Sequence, residues 1–372
     1  MPEVPQDLVE RVEARTVSLP LQRPMWASGL RIALRDFLVV RVTLASGRCG
    51  YGFHKSRGIA LDRIVRDNLA PLLVGQDPWN VERLWRRMHD ATLLAGRTGA
   101  VMRSIGTVDI ALWDLRAQLA GVPLHRLLGG YRDDCGALLV TGYYEEDPLD
   151  CGPMQRQLAA WRADGCSFFK IAAGMLAPEA DERRIAAARE AIGPEAALAA
   201  DVNGVWTEAK HALRAARLWE RHRLRWIEDP FPIDHAAQRR EFTRRSPVAV
   251  AVGDEQGSPG YFHELIATQA LDVLRLDTPV VGGITPALRI LAIADAAGVP
   301  VSPHLYPEIN VHLAAAFRNV VAVETFGTLS DLYQIDKFIE PGLELRGGRI
   351  APPAAPGLGF RLDWDGLAKH SS

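Results

Sequence analysis

An α/β fold, a (β/α) barrel preceded by a smaller α+β domain, is predicted by three features of the chain. Eight short apolar runs alternate with helix-like stretches between residues 137 and 326. The first 130 residues lack that alternation, and the last 37 are broken by Pro and Gly. Strands separated by helices imply βαβ units and a parallel sheet, and eight of them in so short a span suit a closed barrel better than an open sheet.

The first region opens with strand text. Arg35-Asp-Phe-Leu-Val-Val-Arg-Val-Thr-Leu44 alternates and then turns at Ser46-Gly47, as a strand of an antiparallel sheet would. A helix is predicted from about Ser104, because Ile105, Val108, Leu112, Leu115 and Leu119 recur at spacings of three and four. Gly121 and Pro123 stop it. The eight runs that follow are Ala137–Tyr144, Phe168–Ala173, Leu198–Asn203, Arg225–Asp229, Val248–Asp254, Val273–Asp277, Val299–His304 and Val320–Phe326. The expected organisation is therefore an α+β domain at 1–130, a barrel at 131–335, and a tail at 336–372 that packs back on the first domain.

Composition narrows the function classes. With 48% apolar and 24% charged residues and a net charge of −2, the chain is an ordinary globular protein without a basic surface for nucleic acid or an anionic membrane. No apolar run approaches the length of a bilayer span, and residues 1–20 lack the apolar stretch of a secretory signal. Cys49, Cys135, Cys151 and Cys166 are scattered, with no C-x-x-C pair, and are expected to be reduced thiols of a cytoplasmic protein.

The chemistry lies where the runs end. The first ends on Tyr143-Tyr144, and the others carry Lys170, Asp201, Glu228, Asp254, Asp277, His304 and Glu324 at or near their ends. Successive steps from Lys170 are 31, 27, 26, 23, 27 and 20 residues, about one βα unit each. The C-terminal ends of barrel strands share one face, so residues remote in sequence would converge there. A single charged residue ending a strand is commonplace, and a single Asp can simply cap the next helix. Seven in succession point instead to a site.

Asp201, Glu228 and Asp254 offer only oxygen ligands, which suits a hard cation such as Mg²⁺. Glu255 is the alternative to Asp254, which is preferred because it follows Gly253 directly on the expected inward side of the strand. Asp277 and His304 end neighbouring strands, so the carboxylate can fix one ring nitrogen and leave the other as a general base.

These residues, in this order, resemble the mandelate racemase subgroup of the enolase superfamily across nearly the whole chain. The motifs are Ser104-Ile-Gly-Thr-Val-Asp-Ile-Ala-Leu-Trp-Asp-Leu115, Pro123-Leu-His-Arg-Leu-Leu-Gly-Gly130, Asp201-Val-Asn203, Trp226-Ile-Glu-Asp-Pro230, Gly253-Asp-Glu255, Gly282-Gly283, Ser302-Pro-His304 and Glu324. The resemblance implies an N-terminal capping domain over a (β/α)₇β TIM-like barrel, and a homo-oligomer acting on a small carboxylate. It implies Asp201, Glu228 and Asp254 as ligands of Mg²⁺, and an Asp277–His304 acid/base dyad. It also implies Glu324 as a hydrogen-bonding acid and Asn203 as a substrate contact. Lys170 matches the first lysine of the family's Lys-x-Lys pair, whereas Ala172 stands where the second is usual. One base, His304, then suffices for β-elimination of water from an acid sugar, giving a 2-keto-3-deoxy acid, with Lys170 assisting electrostatically. The alternative is a racemase, epimerase or cycloisomerase, should Lys170 itself reach the α-carbon, and a catalytically silent binding protein is the third reading. Specificity is expected from two loops of the first domain, Trp26–Gly29 and Tyr51–Gly58, with His54, Lys55 or Arg57 as candidates to read distal hydroxyls or a second carboxylate, together with Tyr143 at the barrel mouth.

Overall fold

The computed structural model describes residues 7–327 and 331–371. Three antiparallel strands, β1 (Val9–Ala27), β2 (Leu30–Leu44) and β3 (Cys49–Lys55), form the N-terminal sheet. Its inner face is covered by a long helix at Ala100–Leu119, the one predicted from Ser104. Gly52 lets that helix lie directly on β3, because a Cβ there would sit 2.1 Å from the Thr107 carbonyl oxygen. The same helix then docks on the barrel. A Cβ at Gly106 would stand 2.0 Å from the carbonyl oxygen of Pro279, so only glycine permits this approach of helix to barrel loop.

The predicted runs become eight parallel strands: β4 (Cys135–Thr141), β5 (Phe168–Ala172), β6 (Ala197–Asp201), β7 (Ile227–Glu228), β8 (Val250–Val252), β9 (Val273–Leu276), β10 (Val301–Pro303) and β11 (Val323–Thr325). Each pairs with the next from β4 to β10, and β11 pairs with β4. Val301 closes the remaining gap by bonding Asn319 and Val321 just ahead of β11. A helix of nine or more residues follows each of the first seven strands, whereas the eighth is followed among the described residues by only a 3₁₀ turn at Ile335–Phe338 and, beyond the tail strands, a five-residue helix at Trp364–Ala368, which makes the barrel (β/α)₇β.

Residues that alternate inward from these strands stack in layers. The lowest is apolar and separate from the main core: Leu138, Ala199, Trp226, Ala251, Val273 and Ala322. Above it lie Lys170, Glu228, Arg275, Ser302 and Glu324, all buried. Polar atoms inside a barrel are tolerated only when paired, and the pairing within this layer shapes the site above it.

The last segment crosses the barrel base and returns to the N-terminal sheet. Arg349 and Ile350 pair with Gly136 and Cys135, Leu358 N donates to Asp114 Oδ1 at 2.8 Å, and Ser18 N donates to the His370 carbonyl at 3.0 Å. All four cysteines are free thiols, and no helix among the described residues is long and apolar enough to cross a membrane.

Candidate active site

The C-terminal strand ends and the capping domain enclose a cavity of about 440 Å³. Asp201, Asp254, His304 and Glu324 line its barrel side, and Met25, Ala27, Arg35, Lys55 and Arg57 line its cap side. Five of the ten non-glycine residues with positive φ among the described residues line this cavity: Ser28, Arg57, Asn203, Asp229 and Glu255. Such conformations cost about 1–3 kcal/mol each and persist where the surroundings impose them, commonly at functional sites.

One ligand atom from each of Asp201, Glu228 and Asp254 lies within 4.8 Å of the others. Lys170 and Arg275 hold these carboxylates from below. Lys170 Nζ bonds Glu228, stands 3.0 Å from Glu324 Oε2 and lies 3.3 Å from Asp201 Oδ2. Arg275 Nε reaches Glu228 Oε2 and Asp254 Oδ1, each at 3.2 Å, while its other arm pairs with Glu324. Trp226 Nε1 donates to Glu228 Oε2 at 2.8 Å.

The charge balance of this layer is incomplete. Asp201, Glu228, Asp229, Asp254 and Glu324 face two buried cations, Lys170 and Arg275. Burial pushes the Asp201 carboxyl to about 8, against Lys170 and with the help of Glu228 and Asp229. Burial likewise raises Asp254 well above the carboxylate range despite Arg275, and raises Asp229 to about 7. Three converging oxygen donors with excess buried negative charge fit a divalent hard cation, which would offset that cost.

Asp254, rather than Glu255, joins Asp201 and Glu228 in this cluster. Gly253, with φ of +136°, breaks the strand's alternation and turns Asp254 into the barrel mouth. Glu255 points to the cap instead. It bonds Arg57 and accepts from Arg103 at 2.5 Å, and these arginines, with His304, outweigh burial and hold its carboxyl well below the usual range.

His304 Nδ1 lies 2.8 Å from Asp277 Oδ2, and Nε2 faces the cavity 3.7 Å from Asp254 Oδ2. The dyad expected from neighbouring strand ends is therefore assembled. Lys170 is placed differently from a base that reaches substrate. It is 1% exposed, lies beneath the lining of the cavity, and is spent on three carboxylates. Glu324 lines the cavity and pairs with Lys170 and Arg275; burial pushes its carboxyl up, but Lys170, Arg275 and His304 together hold it at about 2.

The expected binding residues divide. Asn203 and Tyr143 line the cavity, as does Arg57. Trp26 does not, because strand alternation gives the lining to Met25 and Ala27, while Trp26 bonds the Tyr144 carbonyl through its backbone at 2.8 Å. His54 also lies behind the lining. It is fully buried against Tyr306, with Nε2 2.8 Å from Arg103, and so supports the arginine that grips Glu255.

Sequence reasoning missed Arg275, Arg35 and Arg103. Arg275 was detectable, since an arginine inside the apolar run Val273-Leu-Arg-Leu, two residues before Asp277, must share its inward face. Arg35 and Arg103 lie in text with no comparable signal.

Comparison with known proteins agrees with this geometry. Residues 153–366 match the family model described as enolase C-terminal domain-like, and residues 11–129 match the mandelate racemase/muconate lactonizing enzyme N-terminal domain. The chain belongs to the mandelate racemase/muconate lactonizing enzyme family. It is 31% identical over 364 residues to L-talarate/galactarate dehydratase of Salmonella typhimurium, covering 96% of this chain and 89% of that protein. Among solved structures, a racemase from Streptomyces coelicolor with bound magnesium superposes with a TM-score of 0.90 at 26% identity, covering 98% of this chain and all of that one. L-Talarate dehydratase from Polaromonas, complexed with Mg and L-glucarate, superposes at 0.86 and 29% identity, covering 98% of this chain and 97% of that one.

Proposed function

We propose that this family member is a Mg²⁺-dependent acid-sugar dehydratase. The observation that carries the reading is the single dyad at the cavity: His304 is fixed by Asp277, while the second strand offers the apolar Ala172 and a Lys170 locked beneath the lining. Asp201, Glu228 and Asp254 would hold the metal, which when bound supplies a positive charge opposite the substrate carboxylate. The likeness to the talarate dehydratases supports both metal and substrate class.

The residues then divide the work. Asp277 accepts from Nδ1–H, so Nε2 of His304 carries the free lone pair and takes the α-proton. The resulting ene-diolate expels the β-hydroxyl, which receives a proton from Nε2–H and leaves as water. The enol so formed tautomerises to the 2-keto-3-deoxy acid. Lys170 and Arg275 are positioning residues that hold the carboxylates in register. Asn203 bonds the Asp201 carbonyl through Nδ2 at 3.2 Å and presents its side chain to substrate.

Likeness to a racemase favours one other reading, α-proton exchange without loss of water. Incubation with Mg²⁺ and a panel of sugar acids, with assay for 2-keto acid and for deuterium uptake from D₂O, separates the two. Keto acid formed together with exchange supports the dehydratase. Exchange or isomerisation without keto acid replaces it with the isomerase, and no reaction with any acid leaves a binding protein.

A further inference from the structure

The charge in this cavity is divided, and only one half is explained by a metal and a base. The cap wall carries Arg35, Lys55 and Arg57. With Arg103 behind them they face Glu255, which already engages Arg57 and Arg103, and Glu324, which is already paired with Lys170 and Arg275. Arg35 Nε is occupied by the Leu332 carbonyl at 2.7 Å. Lys55 is 4% exposed, yet among the described residues its ammonium has neither carboxylate nor carbonyl partner. Its neighbour is the face of Phe326, 5.6 Å from Nζ.

We propose that Lys55, flanked by Arg35 and Tyr143, seats a second carboxylate, so that the substrate is an acid sugar with a carboxylate at each end. The inference rests on the proposed function, which places the first carboxylate over Asp201, Glu228 and Asp254. A buried cation is costly without a counter-ion, and here Glu255 and Glu324 favour the charge without outweighing burial and the neighbouring arginines. Burial, then Arg35 and Arg57, hold the Lys55 amine well below its ordinary range. A carboxylate entering between Lys55 and Arg35 reverses that penalty, whereas a neutral hydroxymethyl end does not. Tyr143 lies near Arg35 and packs on the same Phe326 ring that Lys55 faces, and burial raises its phenol and keeps it protonated as a hydroxyl donor. The cavity thus has an anionic end suited to a cation and a cationic end suited to an anion.

A rival seat exists on the opposite wall. Arg239 lines the same cavity, donates to the Ile233 carbonyl at 3.2 Å, and has a buried Nε without a partner. It is a lone cation held by a backbone carbonyl, whereas Lys55 belongs to a cluster with excess charge.

The test measures binding apart from turnover. In Mg²⁺-loaded His304→Asn protein, dissociation constants are determined by calorimetry for hexaric acids and for the hexonic acids of matching configuration. One charge-assisted contact predicts a preference of roughly 10- to 100-fold for the best hexaric acid. Lys55→Gln and Lys55→Met should erase that preference and Lys55→Arg should retain part of it, with thermal melting used to verify folding. Equal affinity for the two classes overturns the inference, as does a preference that survives loss of Lys55 or disappears only in Arg239→Gln. Failure of the wild-type protein to exchange the α-proton of either class would instead contradict the proposed function, leaving the binding result to be read independently.

Discussion

Arg103, in the first turn of the long cap helix, donates to Glu255 on the barrel rim at 2.5 Å, across the boundary between the two domains. Arg57 grips the same carboxylate from the loop after β3, and His54 braces Arg103 from behind at 2.8 Å. Closure of the cap is therefore tied to a residue adjacent to Asp254. We expect Arg103→Leu to lower kcat/KM by roughly 10-fold or more, mainly through KM, because one partner of a partly buried charge pair is removed. Steady-state kinetics check this, and unchanged kinetics would show that the pair does not govern closure.

The same contact separates the two candidate ligands. Glu255 is committed to arginines, whereas Asp254 faces Asp201 and Glu228. Calorimetric titration with Mg²⁺ should show Asp254→Asn weakening the metal by about 100-fold, loss of one anionic ligand of three. Glu255→Gln should change it by about threefold at most. The reverse order would assign Glu255 to the metal. EDTA should abolish turnover, and Mg²⁺ should restore it.

Lys170 is expected to matter for the fold as well as for turnover. Removing it leaves Glu228 and Glu324 buried with Arg275 as their remaining cation, and breaking a buried pair costs about 3–5 kcal/mol. Denaturant unfolding of metal-free Lys170→Met should show a loss of that order. A loss of kcat at unchanged stability would instead point to direct contact with substrate.

How far these placements were legible in the sequence varies with their cause. The eight strands could be read because buried parallel strands are short apolar runs, and their ends could be read because loops begin there. The Asp277–His304 dyad followed from two adjacent strand ends. What the sequence could not carry was direction within a layer. Lys170 and Glu324 belong to the same list of strand-end ionisable residues as His304, yet the barrel places Lys170 beneath the cavity and ties Glu324 to it. Trp26 and His54, expected in loops, lie instead near the ends of β1 and β3 and outside the lining, because strand neighbours one residue away (Ala27 and Lys55) take the facing side. Contacts between distant segments, such as Arg103 with Glu255, leave no trace in local pattern.

A pH dependence of stability follows from the docking of cap on barrel. Asp109, fully buried in the Ser104–Leu115 motif, accepts from Thr285 N at 2.9 Å and from Thr285 Oγ1 at 2.7 Å. Burial outweighs these bonds and raises its carboxyl to about 7. The folded protein therefore retains a proton that the unfolded chain releases near pH 4. This contribution is fully present below about pH 4 and is lost as pH rises through 7. We expect Asp109→Asn to flatten that part of the melting profile, so that the variant gains on the wild type between pH 5 and 8. A constant difference in Tm over this range would contradict the assignment.

The central claim is that His304 removes an α-proton and that dehydration follows from it. The most direct measurement is deuterium uptake from D₂O alongside 2-keto acid formation, by NMR, for wild-type and His304→Asn proteins with Mg²⁺ and a sugar acid that the wild type consumes. We expect wild-type protein to form the keto acid with solvent deuterium in the product, and His304→Asn to show neither reaction while melting cooperatively near the wild-type temperature. Undiminished exchange or dehydration in His304→Asn would contradict the account.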